Sequence, residues 1–215
     1  MSNQTTLRRF TLGACALALG LGMIQAQADD GALYGPKAPK GSAFVRAYNA
    51  SSAELDVSVG QTQLKQISPL GSSDFKFLPA GSYQAQVGNS QMPVDLEPEH
   101  YYTLVSQTGD KPRLVEEPPF TSRQKALLRV QNLTDSTLSV KTADGKTAVV
   151  ADVKPDGRGD REINPVKVGL ALFDGERKVA DLKPVTLERG EVVSLFVTGG
   201  QGKFSPVWVK RPIDG

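Results

Sequence analysis

The chain has 215 residues, of which 39% are hydrophobic and 22% charged, with a formal net charge of +2, one cysteine and one histidine. That balance argues against a polyanion binder coated in basic residues, and a single histidine excludes a metal site built on several imidazoles. A lone cysteine excludes an internal disulfide.

Residues 1–28 read as an export signal. Arg8 and Arg9 form a charged start, Leu12 to Ile24 is apolar and uncharged, and Ala26-Gln27-Ala28 is a small-x-small cleavage site before Asp29. The "LGAC" stretch at Leu12–Cys15 resembles a lipoprotein box, but cleavage there would leave too short an apolar region before it. Cleavage after Ala28 removes Cys15 with the signal, and no later segment is long and apolar enough for a membrane span. The exported chain must then be held together by core burial alone.

The rest of the chain is written twice. Ala43/Arg46/Asn49 recurs as Ala126/Arg129/Asn132, an offset of 83, and Leu55 and Val57 recur as Leu138 and Val140. Further on, "VDLEPEHYYTLV" (Val94–Val105) aligns with "VTLERGEVVSLF" (Val185–Phe196) at an offset of 91, so the second copy carries about eight extra residues between shared ends. Two domains are expected, residues 29–117 and 126–215. The connection, residues 118–125, begins with Pro118-Pro119, which fixes φ and stiffens it.

Within each copy the hydrophobic period is two. Ala43, Val45 and Ala47 alternate with Phe44, Arg46 and Tyr48, and Ala126, Leu128 and Val130 alternate with Leu127, Arg129 and Gln131, so in both copies the arginine lies opposite the apolar face. Short runs follow at Leu55–Val59, Phe75–Phe77, Tyr83–Val87 and Tyr102–Leu104, then at Val166–Leu172 and Val193–Val197. Asp144-Gly145, Asp174-Gly175 and "LPAGSY" at Leu78–Tyr83 supply turns between them. The pattern predicts an all-β chain of two tandem antiparallel β-sandwich domains joined by a short proline-containing linker.

Chemistry is approached by elimination. Acid–base and serine hydrolases usually need a histidine, and His100 is the only one; its counterpart in the second copy is Glu191, which predicts an exposed loop rather than a catalytic position. "PDGRGDRE" (Pro155–Glu162) places Asp156 and Asp160 among glycines but lacks the ligand spacing of a calcium loop, so it reads as a charged hairpin turn, and its Arg158-Gly159-Asp160 tripeptide as incidental. Glu97/Glu99 and Glu116/Glu117 lie in loops rather than as an evident opposed dyad. No phosphate-cradling glycine loop occurs. The expectation is no catalytic residue, no cofactor and no metal.

Charge divides between the copies. Residues 29–117 hold 7 Lys+Arg against 11 Asp+Glu, and residues 118–215 hold 16 against 12. Opposite halves suit either two faces for two partners or mutual attraction between the domains. Candidate partner contacts are Arg158 and Arg161 in the glycine-rich turn, with Tyr34 and Trp208 as aromatic anchors, although core packing is the ordinary use of an aromatic side chain.

Taken together, "DGALYGPKAPKGSAFVRAYN", "LGSSDFKFLP", "YYTLVSQ", "GDREINPVKV", "LKPVTLERGEVV" and the terminal "PVWVKRP" resemble the AlgF family of alginate biosynthesis proteins, over essentially the whole chain after the signal. The resemblance implies a periplasmic protein required for O-acetylation of alginate, acting with the membrane acyltransferase AlgI and the periplasmic proteins AlgJ and AlgX. It carries over no catalytic motif. The expected function is therefore a non-catalytic adaptor, against two alternatives: a module that binds alginate weakly and presents it, or a covalent acetyl carrier. Nucleic acid is not an expected partner.

Overall fold

The structure is a computed structural model that describes residues 38–211; the signal segment and Tyr34 lie outside these residues. All regular structure among the described residues is β.

The first copy contributes β1 (Ser42–Ala50), β2 (Leu55–Val59), β3 (Thr62–Ile67), β4 (Lys76–Pro79), β5 (Gly81–Val87), β6 (Ser90–Leu96), β7 (Tyr101–Gln107) and β8 (Arg113–Glu117). They form two four-stranded sheets, β4-β1-β7-β8 and β3-β2-β5-β6. The second copy contributes β9 (Ala126–Asn132), β10 (Leu138–Thr142), β11 (Ala148–Val153), β12 (Arg158–Ile163), β13 (Val166–Val168), β14 (Leu170–Asp174), β15 (Arg177–Asp181), β16 (Val185–Leu187), β17 (Val192–Gly200) and β18 (Lys203–Arg211). Its two main sheets, β12-β9-β17-β18 and β11-β10-β14-β15, repeat the order of the first pair, and β13-β16 is added as a two-stranded ribbon.

The apolar alternation fills one core per sandwich. Ala43, Val45, Ala47, Val57, Ala85 and Leu104 are buried in the first, and Ala126, Leu128, Val130, Val140, Leu172 and Leu195 in the second. A third cluster, of Tyr48, Val105, Leu133, Phe196 and Val209, joins the outer faces of the sheets that contain β1 and β17.

Register locates the extra residues of the second copy. Phe44 of β1 pairs with Phe77 of β4, whereas Leu127 pairs with Glu162, an offset of 85 on the partner strand. Gly81 pairs with Leu96 across the β5–β6 hairpin, while Val166 pairs with Leu187 across the longer one that β13 to β16 make. Most of the insertion therefore lengthens one hairpin.

Two features differ from the sequence expectation. The sheets are not wholly antiparallel, because β1 pairs with β7 and β9 with β17 in parallel. Alternation within a strand reports which face is buried and carries no information about the direction of its neighbour. Nor is "PDGRGDRE" a hairpin: the turn is confined to 154–157, and Arg158–Ile163 is β12, which crosses to the other sheet and pairs with β9. Gly159 points into the sandwich, where an added Cβ would stand 2.5 Å from Cγ1 of Val150 and 2.8 Å from Cγ2 of Val153. Glycine is required there by packing, and the tripeptide around it is not an exposed loop.

Candidate functional site

The repeated Ala-x-x-Arg-x-x-Asn motif accounts for the organisation of the polar interior. Ala43 and Ala126 face the two cores. Asn49, one residue before the end of β1, and Asn132, the last residue of β9, clamp the loops that follow: Nδ2 of Asn49 donates to the carbonyls of Ala53 and Ile67, and Nδ2 of Asn132 to those of Ser136, Val153 and Lys154. Their Oδ1 atoms accept from Ser51 and Thr134, backbone and hydroxyl in each case. A buried amide satisfied on both sides fixes a loop that has no ladder of its own.

The arginines are the unexpected members. Arg46 and Arg129 are each 1% exposed, because the polar face of β1 and β9 meets the other sandwich rather than water. Between them lies Glu117, the last residue of β8, also 1% exposed. Arg46 Nη2 donates to Glu117 Oε1 at 2.6 Å, Thr103 Oγ1 donates to the same oxygen at 2.5 Å, and Arg46 Nε donates to Thr103 Oγ1 at 2.9 Å. From the second copy, Ser194 Oγ donates to Glu117 Oε2 at 3.0 Å, and Arg129 Nη1 stands 3.8 Å from it. Ser194 is the repeat equivalent of Thr103, so equivalent residues of both copies converge on one carboxylate. Arg129 is held by Asp160 through two 3.0 Å bonds and by the Pro118 carbonyl of the linker.

Burial pushes the Glu117 carboxyl upward, but the Arg46 charge, the bonds from Thr103 and Arg46, and the Arg129 charge outweigh it and hold the group below its ordinary value. Tyr48 packs on Phe196 across the same junction, the ring centroids 4.9 Å apart and the planes tilted by 30°, and burial pushes its hydroxyl up to about 12. The Arg46 guanidinium lies 4.5 Å over the Phe75 ring. This assembly is a structural lock: it orders groups from both copies and leaves none of them facing an open cleft.

His100 is half-buried rather than on an open loop, with Nδ1 2.9 Å from Glu116 Oε1 of β8 and Nε2 3.7 Å from Glu97. Its repeat equivalent, Glu191, is paired at 3.0 Å with Lys210 of β18, the strand that corresponds to β8. The same cross-strand pair is thus made in both copies with its polarity reversed. A position that works equally as imidazole–carboxylate and as carboxylate–ammonium is being used for pairing.

The other candidate residues do not gather into one site. Arg158 is held at the domain junction, by Asp160 at 3.5 Å and the Glu116 carbonyl at 3.4 Å, and beside it Arg113 pairs with Asp156. Arg161, on the same face of β12 as Gly159 and Ile163, is exposed over a cavity of about 330 Å³ at the end of the second sandwich, lined also by Lys125, Glu162, Asn164, Val166 and Val168. Trp208 packs against the second core and donates its indole N–H to the Lys183 carbonyl at 3.0 Å. Sequence reasoning missed Ser194 and placed Glu116 and Glu117 in a loop, whereas both lie in β8 and Glu117 is buried. The signal available was an arginine repeated at one register on two strands that carry no other charged residue, which calls for a buried anion.

Among the described residues no group of three or more His, Cys, Asp or Glu side chains is placed to hold a metal ion. Compared with known proteins, residues 16–194 match the family model described as "Alginate O-acetyl transferase AlgF". The chain is 68% identical over 213 residues to the alginate biosynthesis protein AlgF of Pseudomonas aeruginosa, covering 99% of each. It is 62% identical over 206 residues to the protein of that name from Azotobacter vinelandii, covering 92% of this chain and 94% of the relative. Solved structures of the C-terminal and N-terminal domains of AlgF from P. aeruginosa are 74% and 64% identical, cover 41% and 38% of this chain and 99% and 100% of their own, and align with TM-scores of 0.39 and 0.35.

Proposed function

The chain belongs to the AlgF family of alginate O-acetylation proteins, and from that premise we propose that it works in the periplasm, after loss of residues 1–28, as a non-catalytic adaptor. Its partners are the acetylation proteins AlgI, AlgJ and AlgX, between which it organises acetyl transfer. The observation that carries this reading is the way the polar residues are spent. Arg46, Thr103, Glu117, Arg129 and Ser194 are consumed in locking two sandwiches together, and His100 is consumed in a pair that the second copy makes with Glu191 and Lys210. A rigid block with different charge on its two halves suits the simultaneous holding of different proteins.

Size-exclusion co-elution of the processed protein with purified AlgJ and AlgX, combined with intact-mass measurement after exposure to an acetyl donor, tests the reading. Co-elution without acetyl gain on this chain is expected. Stable acetylation of the chain, or transfer to alginate by the chain alone, would overturn it.

A further inference from the structure

The cavity beside Arg161 exists because one side chain differs between the two copies. In the first sandwich Tyr83 of β5 fills this end: its ring comes within 3.1 Å of where a Cβ on Gly60 would be, its hydroxyl donates to the Pro79 carbonyl at 2.6 Å, and the ring packs on the core. Register identifies the equivalents. Tyr83 pairs with Val94 and Val168 with Val185, and Val94 and Val185 are repeat partners at the offset of 91. The boundaries also correspond: Gly60 lies in the β2–β3 turn and Pro79 ends β4, while the cavity is walled by Thr147 and Ala148 at the β10–β11 turn and by Asn164 just after β12. Where the first copy has a phenol ring, the second has valine and an opening of about 330 Å³.

Three further observations say what fits it. The volume is at the lower end of the roughly 300–1,000 Å³ of ligand pockets, suited to one large side chain rather than an extended ligand. Strand β13 pairs with β16 on one side and has no strand on its other edge among the described residues, and Val166 at its start is 43% exposed, the one exposed large hydrophobic residue of the second copy among the described residues. At the mouth two cations, the exposed Arg161 and Lys125, the latter held by the neutral Asn164 at 2.6 Å, stand against the one carboxylate of the lining, Glu162, and Lys167 is exposed on the opposite face of β13; among the described residues neither Arg161 nor Lys167 makes an ion pair.

We propose that this cavity is a docking site for an extended, acidic segment of a protein partner, which inserts an aromatic side chain where Tyr83 sits in the first copy and lies along the free edge of β13. Backbone pairing along the edge supplies affinity, the cavity selects the aromatic anchor, and Arg161 and Lys167 select acidic flanks. The proposal rests on the adaptor reading for the partner's being a protein, and it assigns that contact to the second domain.

The test uses the whole processed chain, isotopically labelled, and a capped peptide in which tyrosine is flanked by aspartates. Titration is expected to shift the amide resonances of Val166, Lys167 and Val168, and replacing the peptide tyrosine by alanine should weaken binding at least tenfold. Val168→Tyr refills the space as the first copy does and should also cost at least tenfold. Val166→Lys, on the exposed rim, serves if that variant does not fold. Arg161→Glu should weaken binding severalfold, less so as salt rises. No shifts at millimolar peptide, or undiminished binding by the folded filled-cavity variant, would overturn the proposal. Co-elution of Val168→Tyr with AlgJ and AlgX as wild type would reject the cavity and leave the adaptor reading standing; failure of the wild type to co-elute would reject the adaptor while the peptide titration still decides the cavity.

Discussion

Arg46 and Arg129, 83 residues apart in the chain, converge on the single carboxylate of Glu117, at 2.6 Å and 3.8 Å. Two positive charges and one negative charge are thereby withdrawn from water at the junction, with Asp160 supplying the second anion. Such a cluster adds little net stability over an apolar junction, but its members cannot be removed singly without stranding a buried charge.

Glu117→Ala should therefore destabilise the folded chain by about 3–5 kcal/mol, since it leaves the Arg46 guanidinium buried without its carboxylate. Urea denaturation followed by circular dichroism measures it. Replacing Arg46 and Glu117 together by apolar residues should cost less than Glu117→Ala alone, and an additive loss would contradict the lock.

Stability should also fall at acid pH through this group. The folded chain holds the Glu117 carboxyl below its ordinary value of 4.5, so between the folded and unfolded values the unfolded chain binds more protons. The contribution is complete above pH 4.5 and is lost as pH falls through the lower folded value. Melting temperatures from pH 7 to pH 3 should decline less steeply in Glu117→Gln than in wild type.

His100→Ala should leave alginate acetylation in cells nearly unchanged and shift stability by about 0.5 kcal/mol, within the ordinary range for a partly exposed position. Glu191→Ala removes the more deeply buried member of the equivalent pair and should cost more. Loss of acetylation with normal folding in His100→Ala would restore a catalytic role.

Gly159→Ala places a Cβ against Val150 and Val153 and should destabilise by about 1–3 kcal/mol through overpacking. Thermal unfolding checks it; a neutral result would mean that β12 shifts outward freely.

Asn132→Ala strands three carbonyls that Asn132 now serves and should cost about 1–3 kcal/mol, with faster amide exchange in the β9–β10 loop.

The sequence by itself determined the two-copy plan, the strand character of the alternating runs around Ala43, Leu55, Tyr83, Tyr102, Ala126, Leu170 and Val193, the turns at Asp144-Gly145 and Asp174-Gly175, and the placing of Arg46 and Arg129 on the face opposite the core. Each of these follows from interactions local in the chain, namely the period of two and the freedom of glycine at positive φ. Only the tertiary structure decided that this polar face is buried. An alternating strand looks the same whether its second face meets water or another sheet, and the partner that makes an arginine tolerable there, Glu117, lies 71 residues beyond Arg46. The parallel pairs β1–β7 and β9–β17 and the cavity left where Val168 replaces Tyr83 belong to the same class. They depend on which segments become neighbours in space, and pairing across such separations is fixed by packing rather than by any local pattern of residues.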